Sequence, residues 1–310
     1  MPRIVSLIAS ATEIVDALGE TDHLVGRSHE CDYPDRVLSL PVCTRPRIPV
    51  DGNSHEIDQL VKQSARESLS IYEVFEDVLD SLQPTHIITQ IHCEVCAVSL
   101  RDIELAMSRG MKSRPQIVSL QPNSLADIWA DIRRVATALN IPARGDALIA
   151  NLCARLPGPW PPAPGPPSVA CIEWIEPLMA AGNWTPELIA LAGAHDLFGK
   201  PGEHSPWMTF DQLAAADPDV IIVAPCGFDL ARTEREMYWL TDRPEWPQLR
   251  AVRTGRVYLA DGNQYFNRPG PRVVETFEIL REMVHHSGFG EPECTTPRHR
   301  GTAWRAIMSM

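Results

Sequence analysis

Asp77-Val78-Leu79-Asp80-Ser81-Leu82-Gln83-Pro84-Thr85-His86-Ile87-Ile88 and Asp211-Gln212-Leu213-Ala214-Ala215-Ala216-Asp217-Pro218-Asp219-Val220-Ile221-Ile222 are the two stretches on which the fold turns. In each, an aspartate stands seven residues before a proline, and the proline precedes a paired isoleucine. Each reads as a helix starting near the aspartate, a turn at the proline and a buried strand. The same unit occurs twice, 134 residues apart from Asp77 to Asp211, which suggests one architecture used in two halves.

The surrounding pattern agrees. Ile4 to Ile8 reads as a buried strand, and Ser10-Ala11-Thr12-Glu13 has the spacing of a capping box, predicting a helix from about Ala11 to Gly19. A second strand, Leu24 to Ser28, opens into the polar loop His29-Glu30-Cys31-Asp32-Tyr33-Pro34. Strand, helix, strand in that order points to a parallel sheet. Residues 43 to 72 are rich in proline and polar side chains and show no clean periodicity, so no element is assigned there. The pattern then predicts helix 72–82, strand 85–91, helix 97–109 and strand 115–120. Ser124 and Asp127 form a second capping pair ahead of helical stretches at 125–139 and, after Pro142, at 143–156. The run from Pro157 to Pro167 is a polyproline-type spacer.

The chain thus divides into an α/β lobe at 1–120, a helical linker with its spacer at 121–167, a second α/β lobe at 168–290 and a peripheral tail at 291–310.

Over 310 residues, 44% are hydrophobic and 22% charged, which excludes disorder and coiled coil for the whole chain. The net charge of −12 is the wrong sign for nucleic acid or an anionic membrane surface. No window approaches the ~20 apolar residues of a membrane helix. Met1-Pro2-Arg3-Ile4-Val5-Ser6-Leu7 enters the first strand directly, without a basic n-region or cleavage site, and cytoplasmic residence is the expectation.

Together with Arg3–Leu7, Ser10–Glu13, Asp32-Tyr33-Pro34 and the two aspartate units, Gly182-Asn183-Trp184, Ser205-Pro206-Trp207 and Asn267-Arg268-Pro269-Gly270-Pro271-Arg272 resemble the substrate-binding proteins of vitamin B12 and iron-siderophore uptake systems, the class III periplasmic-type family. The resemblance runs over most of residues 3 to 288. It implies two Rossmann-like lobes with parallel sheets, a long linker helix over 121–156 and a ligand cleft between the lobes. The implied ligand is cobalamin, a related corrinoid or another metal chelate, bound without catalysis. The implied partner is an ABC permease, docked through one acidic residue per lobe. By spacing these residues are Asp77 and Asp211, with aspartate where the family usually has glutamate. Lacking a leader, the chain is instead expected to act in intracellular corrinoid carriage, storage or sensing, with a corrinoid-dependent enzyme as an alternative partner.

Loops at the carboxyl ends of parallel strands are the usual ligand site of open α/β sheets. Here they carry His29, Tyr33, His92, Trp184, Trp207, Phe228, Tyr265 and Phe266 as candidate contacts, since aromatic rings offer stiff apolar faces to a macrocycle. Arg268 and Arg272 offer permanent positive charge to a phosphate or carboxylate.

His92-Cys93-Glu94-Val95-Cys96 places two thiols three positions apart at a strand-to-helix turn. With Cys31 and Cys226, and with His29 or Cys43 as further donors, they form a candidate zinc or iron site. A metal- or iron-sulfur-binding protein is therefore the competing reading. Cys153 and Cys171 fall within apolar patterns and read as buried and inert. His195 and His204 read as surface residues. No Gly-x-Gly-x-x-Gly, Walker A loop or Gly-x-Ser-x-Gly elbow occurs, which leaves an enzyme with little support.

Overall fold

The computed structural model describes residues 1–67, 70–90, 103–104, 111–156, 165–286 and 297–307. The chain separates into two compact units, one comprising 1–52 and 56–153, the other 53–55 and 154–310.

The first unit is built on a sheet of four parallel strands in the order β2-β1-β5-β6, namely Leu24–Arg27, Ile4–Ser6, His86–Gln90 and Gln116–Leu120. β1 and most of β5 are buried, as strands covered on both faces must be. Helix α1 (Ala9–Ala17) follows β1, and Gly19 takes the left-handed conformation (φ 78°) just past its end, as the sequence predicts.

The predicted capping box at Ser10 does not form. The N-cap is Ile8, without a side-chain bond, and the Ser10 hydroxyl is buried with no partner among the described residues. The chain turns into the helix directly off the strand. Thr12 donates from its hydroxyl to Ser6 Oγ at 2.8 Å, so the polar side chains tie helix to strand instead of capping.

Residues 43–72, unassigned in the sequence, hold a helix, α2 (Ser54–Arg66), and the two-stranded antiparallel pair β3 (Thr44–Pro46) and β4 (Tyr72–Val74). The predicted helix 72–82 is therefore a short strand followed by α3 (Glu76–Leu82). The two helical stretches read at 125–139 and 143–156 are α4 (Leu125–Ala138) and α5 (Pro142–Arg155), in place of the single long linker helix that the resemblance implies. The capping box of α4 is present, with Ser124 Oγ accepting from Asp127 N–H and the Asp127 carboxylate accepting from Ser124 N–H.

The second unit contains a six-stranded sheet in the order β12-β11-β10-β7-β8, with β9 also paired to β7. Its parallel part is β9 (His195–Asp196), β7 (Ser168–Trp174), β10 (Val220–Val223) and β11 (Val257–Ala260). Helices α6 (Thr185–Leu191), α7 (Phe210–Ala216), α8 (Leu230–Glu236), α9 (Tyr238–Thr241), α10 (Arg250–Arg253) and α11 (Val273–Val284) complete it. β8 (Met179–Ala180) runs antiparallel to β7.

Ranked by chain order, β9-β7-β10-β11 repeats the arrangement of β2-β1-β5-β6, so both units place their first strand against their third. The duplicated sequence unit keeps its register. α3 and α7 each span seven residues, each ends on a residue in the left-handed region, Gln83 (φ 45°) and Asp217 (φ 41°), and each leads through proline into a central strand.

The tail is not peripheral. Trp304–Ala306 forms β12, antiparallel to β11, and Trp304 is fully buried. Among the described residues, no helix is long and apolar enough to cross a membrane.

Candidate functional site

In the second unit the strand order reverses between β7 and β10, and a crevice is expected at the carboxyl ends of such a pair. Trp174 ends β7, and Cys226-Gly227-Phe228 follows β10. The Trp174 and Phe228 rings lie 5.3 Å apart at 55°, and the Arg232 guanidinium sits 3.8 Å from the centre of the Phe228 ring. An arginine over an aromatic face combines charge with a flat apolar surface. Arg232 is positioned by α8, whose N-cap Asp229 accepts from the Arg232 N–H.

Three carboxyl-end loops lock together here. Cys226 N–H donates to Glu173 O at 3.0 Å, and Asn263 N–H donates to Phe228 O at 3.1 Å. Asn267 Nδ2 donates to Ala224 O and Gly262 O at 3.2 and 3.0 Å. The loop after β11 approaches so closely that a Cβ on Gly262 would lie 2.0 Å from Pro225 O, a separation only glycine permits.

That loop is a wide helical turn, Gly262–Phe266, opened by Asp261, whose carboxylate accepts from Gln264 N–H at 2.7 Å. Burial, aided by the charge of Asp229, pushes the Asp261 carboxyl above the usual carboxylate range, while the Gln264 N–H and Arg268 oppose the shift. Arg268 is 5% exposed and donates to Asn263 Oδ1, whereas Arg272 donates to Gln264 Oε1 and lies 5.3 Å from the Tyr265 ring. Two arginines and an aromatic ring thus border one loop.

In the first unit His29 is half-buried. Its Nδ1 lies 2.9 Å from Thr44 Oγ1 and its ring 5.4 Å from that of Tyr72, whose hydroxyl donates to Glu30. Burial, reinforced by Arg27, lowers the His29 pKa, so the ring is neutral at pH 7 and keeps a lone pair. Tyr33 is 41% exposed.

Cys31 is wholly buried, its thiol 3.8 Å from Ser6 O and 3.4 Å from Ser28 Oγ, and burial raises its pKa. Cys43 is pushed up to about 12 by the same cause. Both are protonated core thiols at neutral pH while no metal is bound. Cys226 is half-buried, and α8 begins four residues beyond it. Cys171 is buried, but Cys153 is exposed on α5, contrary to expectation. His92, Cys93 and Cys96 lie outside the described residues, among which no group of three or more His, Cys, Asp or Glu could hold a metal ion.

Trp184, Phe228 and Phe266 are buried, whereas Trp207 is 57% exposed in the loop before α7. Trp184 caps the start of α6 as a core residue. His195 and His204 are exposed, as read from the sequence. Asp77 and Asp211 occupy the second position of α3 and α7, both exposed, the same place in the two copies of the unit. Trp174 and Arg232 were not among the sequence candidates. An aromatic at the carboxyl end of a predicted strand is the signal that would have found Trp174; Arg232 becomes visible only once α8 is placed.

The profile of the family described as "Periplasmic binding protein" matches residues 4–263. No curated protein matches the chain. Among solved structures, the periplasmic heme-binding protein RhuT from Roseiflexus sp. RS-1 is 24% identical, with a TM-score of 0.66 over 92% of this chain and 98% of its own. A periplasmic heme-binding protein from Pseudomonas aeruginosa is 19% identical at TM-score 0.68, covering 100% and 99%. The periplasmic vitamin B12-binding protein BtuF of Vibrio cholerae is 20% identical at TM-score 0.60, covering 91% and 96%. These likenesses are of fold. Resting on the match across residues 4–263 and on the two α/β units, the conclusion is that the chain belongs to the periplasmic binding protein family.

Proposed function

We propose that this binding protein holds, without chemical turnover, a flat metal chelate, with cobalamin or a related corrinoid as the first choice. The observation that carries the reading is the cluster at the carboxyl ends of β7 and β10, where the half-buried Trp174 ring is backed by the fully buried Phe228 with the Arg232 guanidinium beside it. Large planar ligands lose little entropy against rigid rings, and arginine serves the carboxylate, amide or phosphate groups at their rims. Arg272 beside Tyr265 provides a second such place on the neighbouring loop. The fold relatives described as heme-binding and vitamin B12-binding proteins support the same ligand class.

The test is a titration of the purified protein with hydroxocobalamin and, separately, with hemin, followed in the visible spectrum, beside metal analysis of the untreated protein. One equivalent of hydroxocobalamin bound with a shifted spectrum supports the corrinoid; a response to hemin alone moves the ligand to a porphyrin. Silence to both, with stoichiometric zinc or iron already present, overturns the reading in favour of the metal or iron-sulfur alternative. The burial of Cys31 and Cys43 as thiols weighs against that alternative.

Docking to an ABC permease through Asp77 and Asp211 belongs to the same proposal. Both are exposed on corresponding helices, where a carboxylate in the first turn is also favoured by the helix dipole. Replacing both by arginine is expected to leave the chelate titration intact and to abolish co-purification with the permease.

A further inference from the structure

The two units share a strand order but not a border. In the second unit β11 is covered along its outer edge by β12, which runs antiparallel to it. Ile307 N–H donates to Val257 O and Asp261 N–H to Ala303 O, both at 2.9 Å, so Val257, Leu259 and Asp261 are the residues that face the added strand. Ile87 pairs with Ile117 in one sheet as Ile221 pairs with Val257 in the other, and the matching residues of the first unit are therefore Ile117, Ser119 and Gln121. Gln116 N–H donates inward to Thr85 O at 2.9 Å, which turns the N–H and C=O groups of Ile117 and Ser119 outward. Among the described residues no strand lies on that side of β6.

What lies there is a groove of about 450 Å³ between β6 and α4, bordered by Ile117, Ser119, Arg133, Arg134 and Thr137. Its walls are rigid, because α4 is pinned to the sheet at two places. The buried Asp131 carboxylate accepts from Gln121 N–H at 2.9 Å, and His86 Nε2 lies 3.1 Å from Ala138 O. Arg134 donates to the same Asp131, and Arg133 to Asp146 at 2.9 Å. A guanidinium has more N–H donors than one such bond engages, so these contacts fix both arginines and leave donors for a further carboxylate. Arg114, just before β6, is exposed and pairs with no carboxylate among the described residues.

The covered border of the second unit shows how an added strand is read by charge. Arg305 of β12 donates to Glu234 at 2.7 Å on α8, the helix packed against β11. On the first unit the helix packed against the border strand carries arginines instead, and the sign is reversed. A second copy joined β6 to β6 would bring two sets of arginines together on one face of the sheet, which like-charge repulsion opposes.

We propose that the outer edge of β6 and its groove form a docking surface for an extended acidic segment of a partner protein, added as an antiparallel strand with its carboxylates on Arg133 and Arg134. Main-chain bonds to Ile117 and Ser119 supply the affinity of such an addition, and the arginines its selectivity. None of the candidate ligand contacts belongs to this surface.

The experiment titrates the full-length protein into a short fluorescein-labelled peptide of alternating valine and glutamate, with the valine and lysine counterpart as control, and reads anisotropy. The glutamate peptide is expected to bind saturably and to slow hydrogen exchange in the segment containing β6; the lysine peptide is expected not to bind. Ser119→Pro removes an outward N–H at an edge position where proline is tolerated and should abolish binding, whereas Ser119→Ala keeps that N–H and should bind as the wild type does. Arg133→Glu, an exposed change that leaves the strand intact, should weaken binding about tenfold. No saturable binding up to about 1 mM, equal binding of the two peptides, or wild-type affinity in both Ser119→Pro and Arg133→Glu would overturn the proposal. A concentration-dependent dimer that Ser119→Pro returns to monomer would overturn it too, because the edge would then belong to a second copy.

Discussion

At the level of single residues, the environment of each thiol and carboxylate decides its chemistry more than its neighbours in sequence do. Cys31 lies in a loop that reads as polar, yet its sulfur is enclosed between Ser6 and Ser28 and held protonated by burial. Cys153 lies in an apolar pattern, yet it is exposed. Iodoacetamide at pH 8 is therefore expected to label Cys153 quickly and to leave Cys31 and Cys171 unlabelled until the protein is unfolded, as peptide mass spectrometry will show. Equal labelling rates for the three would contradict the burial described.

Asp196 offers a second test. Burial raises its pKa from 3.8 to about 6, against the pull of the Phe198 and Gly199 N–H groups on Oδ1, and its Oδ2 has no partner among the described residues. Because the folded state holds this proton more tightly than the unfolded chain, the charge opposes folding increasingly as pH rises from about 4 to about 6, and fully above that. Asp196→Asn keeps an acceptor for both N–H groups and removes the charge. It is expected to stabilise the protein at pH 7.5 by up to about 3 kcal/mol and to have little effect at pH 4, measured by urea unfolding at both values. A loss of stability at pH 7.5 would refute the account.

At the level of elements, what the sequence made legible was whatever carried enough length to display a period or a paired signal. Strands β1, β2, β5 and β6 and helix α4 were readable from apolar runs and from the Ser124–Asp127 spacing. β4 was not, because three residues cannot establish an alternation, and the helix that follows it absorbed them. Helix α2 was hidden because its sequence is mostly polar, with Ile57 and the carboxylate of Asp58 both buried, and because prolines and charges flank it. The Ser10 spacing misled because a serine near a helix start counts as a cap only if the chain leaves its preceding strand with a residue to spare. Of the candidate site, the loops were foreseen, but the contacts between them were not. Trp174 and Phe228 come together only through tertiary packing.

The capping box of α4 is the simplest element to test. Ser124→Ala removes one acceptor for a helix-end N–H and the hydroxyl bond to Asp127, and should cost about 1 kcal/mol in equilibrium unfolding. Ser124→Asp, which restores an acceptor, should recover most of it. No loss in Ser124→Ala would show that the box contributes nothing to α4.

For the molecule as a whole, the duplicated unit proved the most informative reading. The equal spacing from Asp77 to Pro84 and from Asp211 to Pro218 is matched by helices of equal length, by left-handed residues at the same place and by the same strand order in the parallel parts of both sheets. What composition could not reveal is how far the second sheet extends. Trp304 is enclosed with its indole N–H on Glu282 at 2.7 Å and its ring edge-on to Tyr258 at 5.3 Å. The same Glu282 accepts from the backbone N–H of Arg298 and His299. Trp304→Ala is accordingly expected to cost about 3–5 kcal/mol, seen as a lower urea midpoint; a change below about 1 kcal/mol would show that the residue is not core.

A shortened chain ending at Thr302 would fare worse in another way. β11 would keep its bond to β10 but lose the strand that satisfies its outer amides and carbonyls, and such a bare border invites annealing with any extended peptide. The last described residues therefore act as a hem on the fabric of the sheet, moving its open border from β11 to a strand of three residues, too short to template another chain.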